Sequence, residues 1–150
     1  STFLKDNFIY NFMVEIGGEL SLSGNNAQNK KWTIGIQNPS LNNVSPTLNL
    51  FLTNKSIATS GNYRNFFTYD GKSYSHIISP LTGYPIDDNI LSVTVISDQC
   101  IDADALATSL MVLSIKDGLN LVDNIVGTEV FYITKENKNL YSEGFMNFVR

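Results

Sequence analysis

The 150-residue chain is long enough for one domain with a hydrophobic core, and its 43% hydrophobic and 16% charged residues exclude a disordered protein. Its net charge of −4, with no cationic run longer than Lys30-Lys31, argues against a nucleic-acid partner. No apolar stretch approaches the roughly 20 residues of a membrane-spanning helix, and the single cysteine, Cys100, excludes an intramolecular disulfide.

The predicted elements are a short helix, a series of strands, two helices and further strands. The first helix is indicated by the spacing of Leu4, Phe8 and Ile9, and Asp70-Gly71 is typical of a two-residue hairpin turn. The predicted strands cover residues 12–16, 31–36, 48–52, 56–59, 62–69, 72–78, 91–96 and 129–134, and a last strand ends at 148. The later helices cover 101–114 and 116–124.

Three local expectations accompany this order of elements. Turn residues 23–26 close a hairpin between the strands at 12–16 and 31–36. Gly118 weakens its helix, and strand 91–96, rich in β-branched residues, lies at the centre of the sheet. Many strands combined with paired helices predict a single α+β domain, in which the helices pack on one face of an antiparallel sheet.

The segment 101–108 places carboxylates and a hydroxyl on a predicted helix. Asp104 and Thr108 are four residues apart and therefore share one helical face. Their hard oxygens suit Mg²⁺ rather than zinc. In the alternative interpretation, Asp102 caps the helix N-terminus and Asp104 interacts favourably with the helix dipole.

The same helix is expected to bury a stripe of leucines. Leu106, Leu110 and Leu113 have the spacing of a core-facing stripe. Ala105 and Ala107 are small, and we expect them to let a bulky group come close to the carboxylate and the hydroxyl.

Two glycine-containing segments are candidates for nucleotide contacts. Gly17 and Gly18, flanked by glutamates, would let the backbone approach a ligand closely, although a bulge with two solvated acids is the alternative. Thr59, Ser60 and Arg64 could bind phosphate, and the alternative there is a polar turn with a capping serine.

The single histidine and the single cysteine are candidates for chemistry. His76 can act as a general base near neutral pH, or it can be a structural residue holding the loop that ends at Pro80. Cys100 precedes the helix at 101–114, where a helix N-terminus would lower the thiol pKa, but a small packing residue is the favoured interpretation.

Five segments together resemble the ApbE-type FAD:protein FMN transferases. They occur in the family's order and correspond to its EIGGE strand, WxIGIxxP segment, ATSG[DN]YR segment, HIIDPxTGxP loop and ADA[LWM]AT helix. In this chain they are EIGGE at 15–19, WTIGIQNP at 32–39, ATSGNYR at 58–64, HIISPLTGYP at 76–85 and ADALAT at 103–108.

The resemblance implies a T-fold-like α+β architecture and a reaction that splits FAD at its pyrophosphate, releases AMP and joins FMN to a threonine of a target protein. It implies Mg²⁺ as cofactor, with Asp104 and Thr108 as ligands, and His76 as the base that activates the acceptor hydroxyl. It also implies that Ile78 contacts FAD, that Thr59 and Ser60 lie near the nucleotide, and that Gly17 and Gly18 support the cleft.

Two departures from the family pattern shape the expectations. Ser79 stands where the family loop has aspartate, and this difference could affect the orientation of His76. The family domain is about twice as long, so the chain resembles its C-terminal half, and the N-terminal half would be cleaved, lost or supplied by another chain. We therefore expect the isolated chain to be weakly active and to self-associate.

The resemblance also implies an extracytoplasmic enzyme, periplasmic or anchored as a lipoprotein. Its acceptor would be a threonine-bearing protein of a membrane redox complex. Two alternatives remain open from the sequence, a non-catalytic module that binds flavin nucleotide or a partner, and a hydrolase that converts FAD to AMP and FMN.

Overall fold

A computed structural model describes residues 1–39, 45–62, 66–86 and 89–149. The helices are α1 (Thr2–Asp6), α2 (Cys100–Leu110) and α3 (Ile115–Val122), with a 3-10 helix at Phe145–Phe148. The strands are β1 (Phe12–Ile16), β2 (Glu19–Ser23), β3 (Trp32–Ile36), β4 (Leu48–Leu52), β5 (Ser56–Gly61), β6 (Phe66–Tyr69), β7 (Lys72–Ser75), β8 (Ile90–Ser97), β9 (Glu129–Thr134) and β10 (Asn139–Tyr141). Within the described ranges, no helix has the length and apolarity needed to cross a membrane.

A six-stranded antiparallel sheet in the order β1-β2-β5-β8-β9-β10 forms the centre of the fold. The hairpins β3–β4 and β6–β7 form two separate small sheets. Asp70 and Gly71 both have positive φ at the β6–β7 turn, which confirms the predicted hairpin. The predicted α+β class and the central position of the strand around 91–96 are confirmed.

Both faces of the sheet are covered, so its central strands are buried on both sides. On one face α2 and α3 pack over Ala58, Val93, Val95, Val130 and Tyr132. On the other face the β3–β4 hairpin and the 3-10 helix cover a second cluster, whose members include Leu22, Leu50, Leu52, Ile57, Ile96, Phe131 and Phe145. Seven of the eight residues of β8 are buried as a result.

The buried stripe of α2 differs from the predicted leucine stripe. Ala103, Ala107 and Leu110 are buried, whereas Leu106 and Leu113 are only partly buried. Small residues face the sheet because α2 lies close to β5 and β8, leaving no room for a leucine at 103 or 107. Ala107 therefore belongs to the core and leaves no space for a ligand.

Two predictions about the strands are wrong, one about a hairpin and one about the extent of the last strand. Residues 23–26 do not close a hairpin between β1 and β3, because β1 pairs with β2 across Gly17-Gly18 and β3 pairs with β4. The last predicted strand ends at Tyr141, and the chain then forms the 3-10 helix. Phe145 in that helix is buried and stacks on Phe131, with ring centroids 5.1 Å apart, so an aromatic cluster replaces the strand.

Exposed apolar side chains are concentrated in the first sixteen residues. Phe3, Phe8, Tyr10 and Met13 are exposed, and Ile16 is 75% exposed on β1, which is an edge strand of the main sheet. An edge strand with apolar side chains is a template for association with another chain.

We predict that the 150-residue chain self-associates through this edge. Ile16→Lys should shift the sedimentation profile toward monomer, because a lysine on an edge strand opposes pairing. Val126→Lys is the matched control, since Val126 is 99% exposed but lies far along the chain, after α3. A wild-type chain that sediments as a clean monomer would contradict the prediction.

Gly118 on α3 is required by packing against Tyr132. A Cβ at position 118 would overlap the Tyr132 hydroxyl and lie 3.0 Å from Leu110 Cδ2. The Tyr132 side chain is fully buried, its hydroxyl has no hydrogen-bond partner among the described residues, and burial raises the pKa of this phenol to about 12. Glycine has a low helix propensity, but at position 118 the absence of a Cβ permits the contact of α3 with the sheet.

We predict that Gly118→Ala lowers the free energy of unfolding by about 1–3 kcal/mol, since overpacking outweighs the better helix propensity of alanine. Tyr132→Phe should be neutral or stabilising, because it removes an unpaired buried hydroxyl. The double variant should recover part of the loss caused by Gly118→Ala. Urea unfolding measures all three, and strict additivity of the two changes would refute the proposed contact.

Candidate functional site

A cleft of about 560 Å³ brings most of the predicted site residues together. Its walls come from the β1–β2 hairpin, β3, the end of β5, the segment after β7 and one residue of α2. Six of the eight residues proposed from the sequence line it, namely Gly17, Gly18, Thr59, Ser60, His76 and Thr108. Ile78 and Asp104 are not among its lining residues.

His76 follows β7 and is exposed at the cleft. The next residue, Ile77, is buried in the helix-side core, and its carbonyl accepts a hydrogen bond of 3.0 Å from the Ile86 N–H. The Ile77 N–H donates to Ser75 Oγ at 3.1 Å. These bonds hold the backbone beside His76, so the imidazole projects from an anchored segment.

Ser79 shapes the loop that follows His76. Its hydroxyl accepts the Leu81 N–H at 3.3 Å, and its carbonyl accepts the Gly83 N–H at 2.8 Å. The Ser79 N–H donates to the Tyr84 carbonyl at 2.9 Å. Serine thus makes a local side-chain-to-backbone bond of the kind that aspartate also makes in turns. Ile78, which is 49% exposed, pairs with Pro85 across the base of this loop.

Thr59 and Ser60 direct their hydroxyls to opposite faces of the sheet. Thr59 Oγ1 lies 2.8 Å from Oγ1 of buried Thr94 on β8. Ser60 Oγ lies 2.8 Å from Thr108 Oγ1 on α2. Ser60 is a strand residue paired with Val93, so the alternative of a capping serine in a turn is wrong. Arg64 of the same predicted group lies outside the described residues.

Asp104 lies one helical turn before Thr108 on α2 and is exposed. Asp102 is in the first turn but does not cap the helix, since Gln99 is the N-cap residue and makes no side-chain capping bond. No group of three or more His, Cys, Asp or Glu side chains positioned for a metal occurs among the described residues. Among the described side chains on this part of α2 and β5, the Asp104 carboxylate and the paired hydroxyls of Thr108 and Ser60 are hard-oxygen groups of the kind that Mg²⁺ prefers.

Gly17 and Gly18 form the two-residue turn of the β1–β2 hairpin, with φ of 70° and 110°. The turn needs residues that accept positive φ, which explains both glycines and excludes the alternative of a bulge. Glu15 is exposed, Glu19 is partly buried, and both border the cleft.

Residues of β3 complete the cleft and were not assigned to the site from the sequence. Thr33 and Gly35 of β3 line it, together with Gln37, which follows the strand. Their segment is one of the five that resemble the family pattern, so the motif at 32–39 was the available signal. Gly35 packs against Pro46, whose Cβ would lie 3.0 Å from a Cβ at position 35.

Cys100 is partly buried at the start of α2. Burial, followed by the negative charges of Glu19 and Asp104, raises the pKa of its thiol. The expected lowering by the helix N-terminus is therefore outweighed. A raised pKa disfavours a nucleophilic thiolate and supports the packing interpretation.

The fold and the cleft define an α+β protein in which a glycine hairpin, a histidine and a pair of hydroxyls from β5 and α2 line one site, with the Asp104 carboxylate one helical turn before Thr108. The model of the ApbE family matches residues 1–132. The chain belongs to the ApbE family.

Individual relatives share both sequence and fold with this chain. It is 45% identical over 121 residues to the FAD:protein FMN transferase of Vibrio cholerae serotype O1, covering 81% of this chain and 36% of the relative. It is 39% identical over 146 residues to the Salmonella typhimurium FAD:protein FMN transferase, and the match covers 97% of this chain and 40% of the relative. The chain thus spans less than half of the curated relatives it matches.

Solved structures give the same result and confirm the ApbE-like fold. The flavin transferase ApbE from Vibrio cholerae aligns with a TM-score of 0.84 at 39% identity, covering 99% of this chain and 47% of that one. The ApbE protein of Thermotoga maritima aligns with a TM-score of 0.80 at 32% identity, and the alignment covers 93% of this chain and 45% of that one.

We predict that Asp104 contributes, after burial and Glu19, to the low reactivity of the Cys100 thiol. Asp104→Asn removes one of the charges that raise the thiol pKa, so the pH profile of alkylation by iodoacetamide should move to lower pH. Asp102→Asn is the matched control, because Asp102 is not among the groups that act on the thiol. An equal shift in both variants would assign the effect to the overall charge of the helix instead.

Proposed function

We propose that this chain carries the catalytic cleft of an Mg²⁺-dependent FAD:protein FMN transferase. The observation that carries the proposal is the convergence of His76, Ser60, Thr108 and the Gly17-Gly18 hairpin on one cleft, although they belong to separate elements. The similarity to FAD:protein FMN transferases of Vibrio cholerae and Salmonella typhimurium supports the reaction class.

In the proposed reaction, a threonine hydroxyl of the acceptor protein attacks the phosphorus of the FMN half of FAD. His76 takes the hydroxyl proton as the new P–O bond forms. The bond between that phosphorus and the bridging oxygen breaks, and AMP leaves with this oxygen. The exposed position of His76, beside the anchored Ile77, leaves it accessible to an acceptor that arrives from solvent.

The charge of the cleft supports a divalent cation. The charged residues of its described lining are Glu15 and Glu19, and that lining contains no lysine or arginine. A pyrophosphate would meet unfavourable negative charge there unless a cation accompanied it. Asp104 and Thr108 would hold Mg²⁺ through hard oxygens. When bound, the ion offsets charge that develops on the phosphoryl group and on the leaving AMP.

We further propose that the rest of the flavin site comes from a polypeptide region corresponding to the part of the relatives that this chain does not span. The support is the coverage of 47% of the Vibrio cholerae structure. The proposed acceptor is a threonine-bearing subunit of a membrane redox complex, and the proposed location is outside the cytoplasm, in both cases by family resemblance. The isolated chain should then transfer FMN weakly or not at all.

A chimera tests the proposed function directly. This chain replaces the segment it matches in the Vibrio cholerae relative, and the chimera is incubated with FAD, Mg²⁺ and an acceptor protein that the relative flavinylates. We predict AMP release together with a flavinylated threonine, detected by mass spectrometry. His76→Asn should lower the rate by about 100-fold or more, because general-base catalysis typically contributes 10²–10⁴-fold. Tyr84→Phe, an exposed loop change outside the cleft lining, is the matched control.

Each other outcome points to a different conclusion. AMP release without a labelled acceptor would favour the hydrolase, and FAD binding without AMP release by a folded chimera would favour the binding module. An active His76→Asn chimera would exclude His76 as the base. Rapid transfer by the 150-residue chain alone would contradict the need for the remaining region.

A further inference from the structure

The hydroxyl of Thr108 forms an unusual hydrogen bond for a helical residue, because its partner lies on a strand. A serine or threonine on a helix commonly donates back to the carbonyl four residues earlier. Ser109, the next residue of α2, does this, with its Oγ 2.7 Å from the Ala105 carbonyl. Thr108 Oγ1 is instead 2.8 Å from Ser60 Oγ on β5. The two elements thus meet at a hydroxyl pair on the edge of the cleft.

A neutral hydroxyl coordinates a cation through the lone pairs of its oxygen, so its proton must be directed away from the cation. Ser60 Oγ is placed to accept that proton. Ser60 lies on β5 opposite Val93 of β8, which is fully buried, so the strand that carries the Ser60 oxygen is anchored at this position. Residues that orient a ligating group in this way typically change metal affinity by 10–100-fold when they are removed.

We propose that Ser60 is a positioning residue for a divalent cation, acting through Thr108. It accepts the Thr108 proton and so directs the lone pairs of Thr108 Oγ1 away from the helix backbone and toward the cation. This inference rests on the proposed function for the cation site, but it assigns Ser60 a part distinct from direct contact with the nucleotide.

The test measures the affinity of the 150-residue chain for Mn²⁺ by electron paramagnetic resonance, with Mg²⁺ as competitor and no FAD present. Ser60→Ala should weaken Mn²⁺ binding about tenfold. Ser60→Thr should restore it, since threonine keeps the hydroxyl and suits a strand. The double variant Ser60→Ala/Thr108→Ala should bind no more weakly than Thr108→Ala alone, because Ser60 acts only through the Thr108 hydroxyl. Ser109→Ala is the matched control and should bind as the wild type does.

The outcomes separate this inference from the proposed function. Weak binding in Thr108→Ala with wild-type binding in Ser60→Ala would overturn the positioning role and leave the cation site intact. Wild-type binding in Thr108→Ala, or no Mn²⁺ binding by the wild-type chain, would overturn the cation site and the role of Ser60 with it. Additive losses in the double variant would show that Ser60 acts independently of Thr108 and would likewise refute the inference.

Discussion

Burial of the central sheet on both faces is the constraint on which the rest of the structure depends. β5 and β8 pack against α2 on one side and, through Ile57 and Ile96, against the β3–β4 hairpin side on the other. A shift of one residue in their register would exchange the two faces. Ser60 would then leave α2 and Thr59 would leave Thr94, so two hydrophobic clusters determine where the hydroxyls of the site lie.

The two candidate site residues His76 and Thr108 are each positioned by an adjacent buried apolar residue. His76 is exposed, but Ile77 beside it is buried. Thr108 is exposed, and Ala107 beside it has no accessible surface. In both cases a core residue fixes the backbone and the adjacent polar residue faces the cleft. This arrangement gives precise placement because core packing tolerates little movement.

The sequence predicted most elements and most of the cleft because local signals carry them. Glycine and aspartate mark turns such as Asp70-Gly71, and β-branched residues mark β8. The hairpin predicted at 23–26 was wrong because pairing partners depend on tertiary contacts, which local turn chemistry does not report. The role of Ala107 was missed for a related reason, since only the close approach of α2 to the sheet makes a small residue a core residue. The Ser60–Thr108 contact joins residues 48 positions apart, so no local sequence pattern could predict it.

Of the elements that line the cleft, the β1–β2 hairpin is the one whose position depends most on the groups packed against it. β1 pairs on one side only, with Met13 and Glu15 directed to the cleft and Phe12, Val14 and Ile16 to a second cavity of about 550 Å³. Glu19 borders both cavities. A strand that borders open space on both faces has little packing to hold it, so local opening there costs little free energy. Because the Gly17-Gly18 turn joins β1 to β2 and lines the cleft, movement of β1 would alter the shape of the site in which His76 and Thr108 would act.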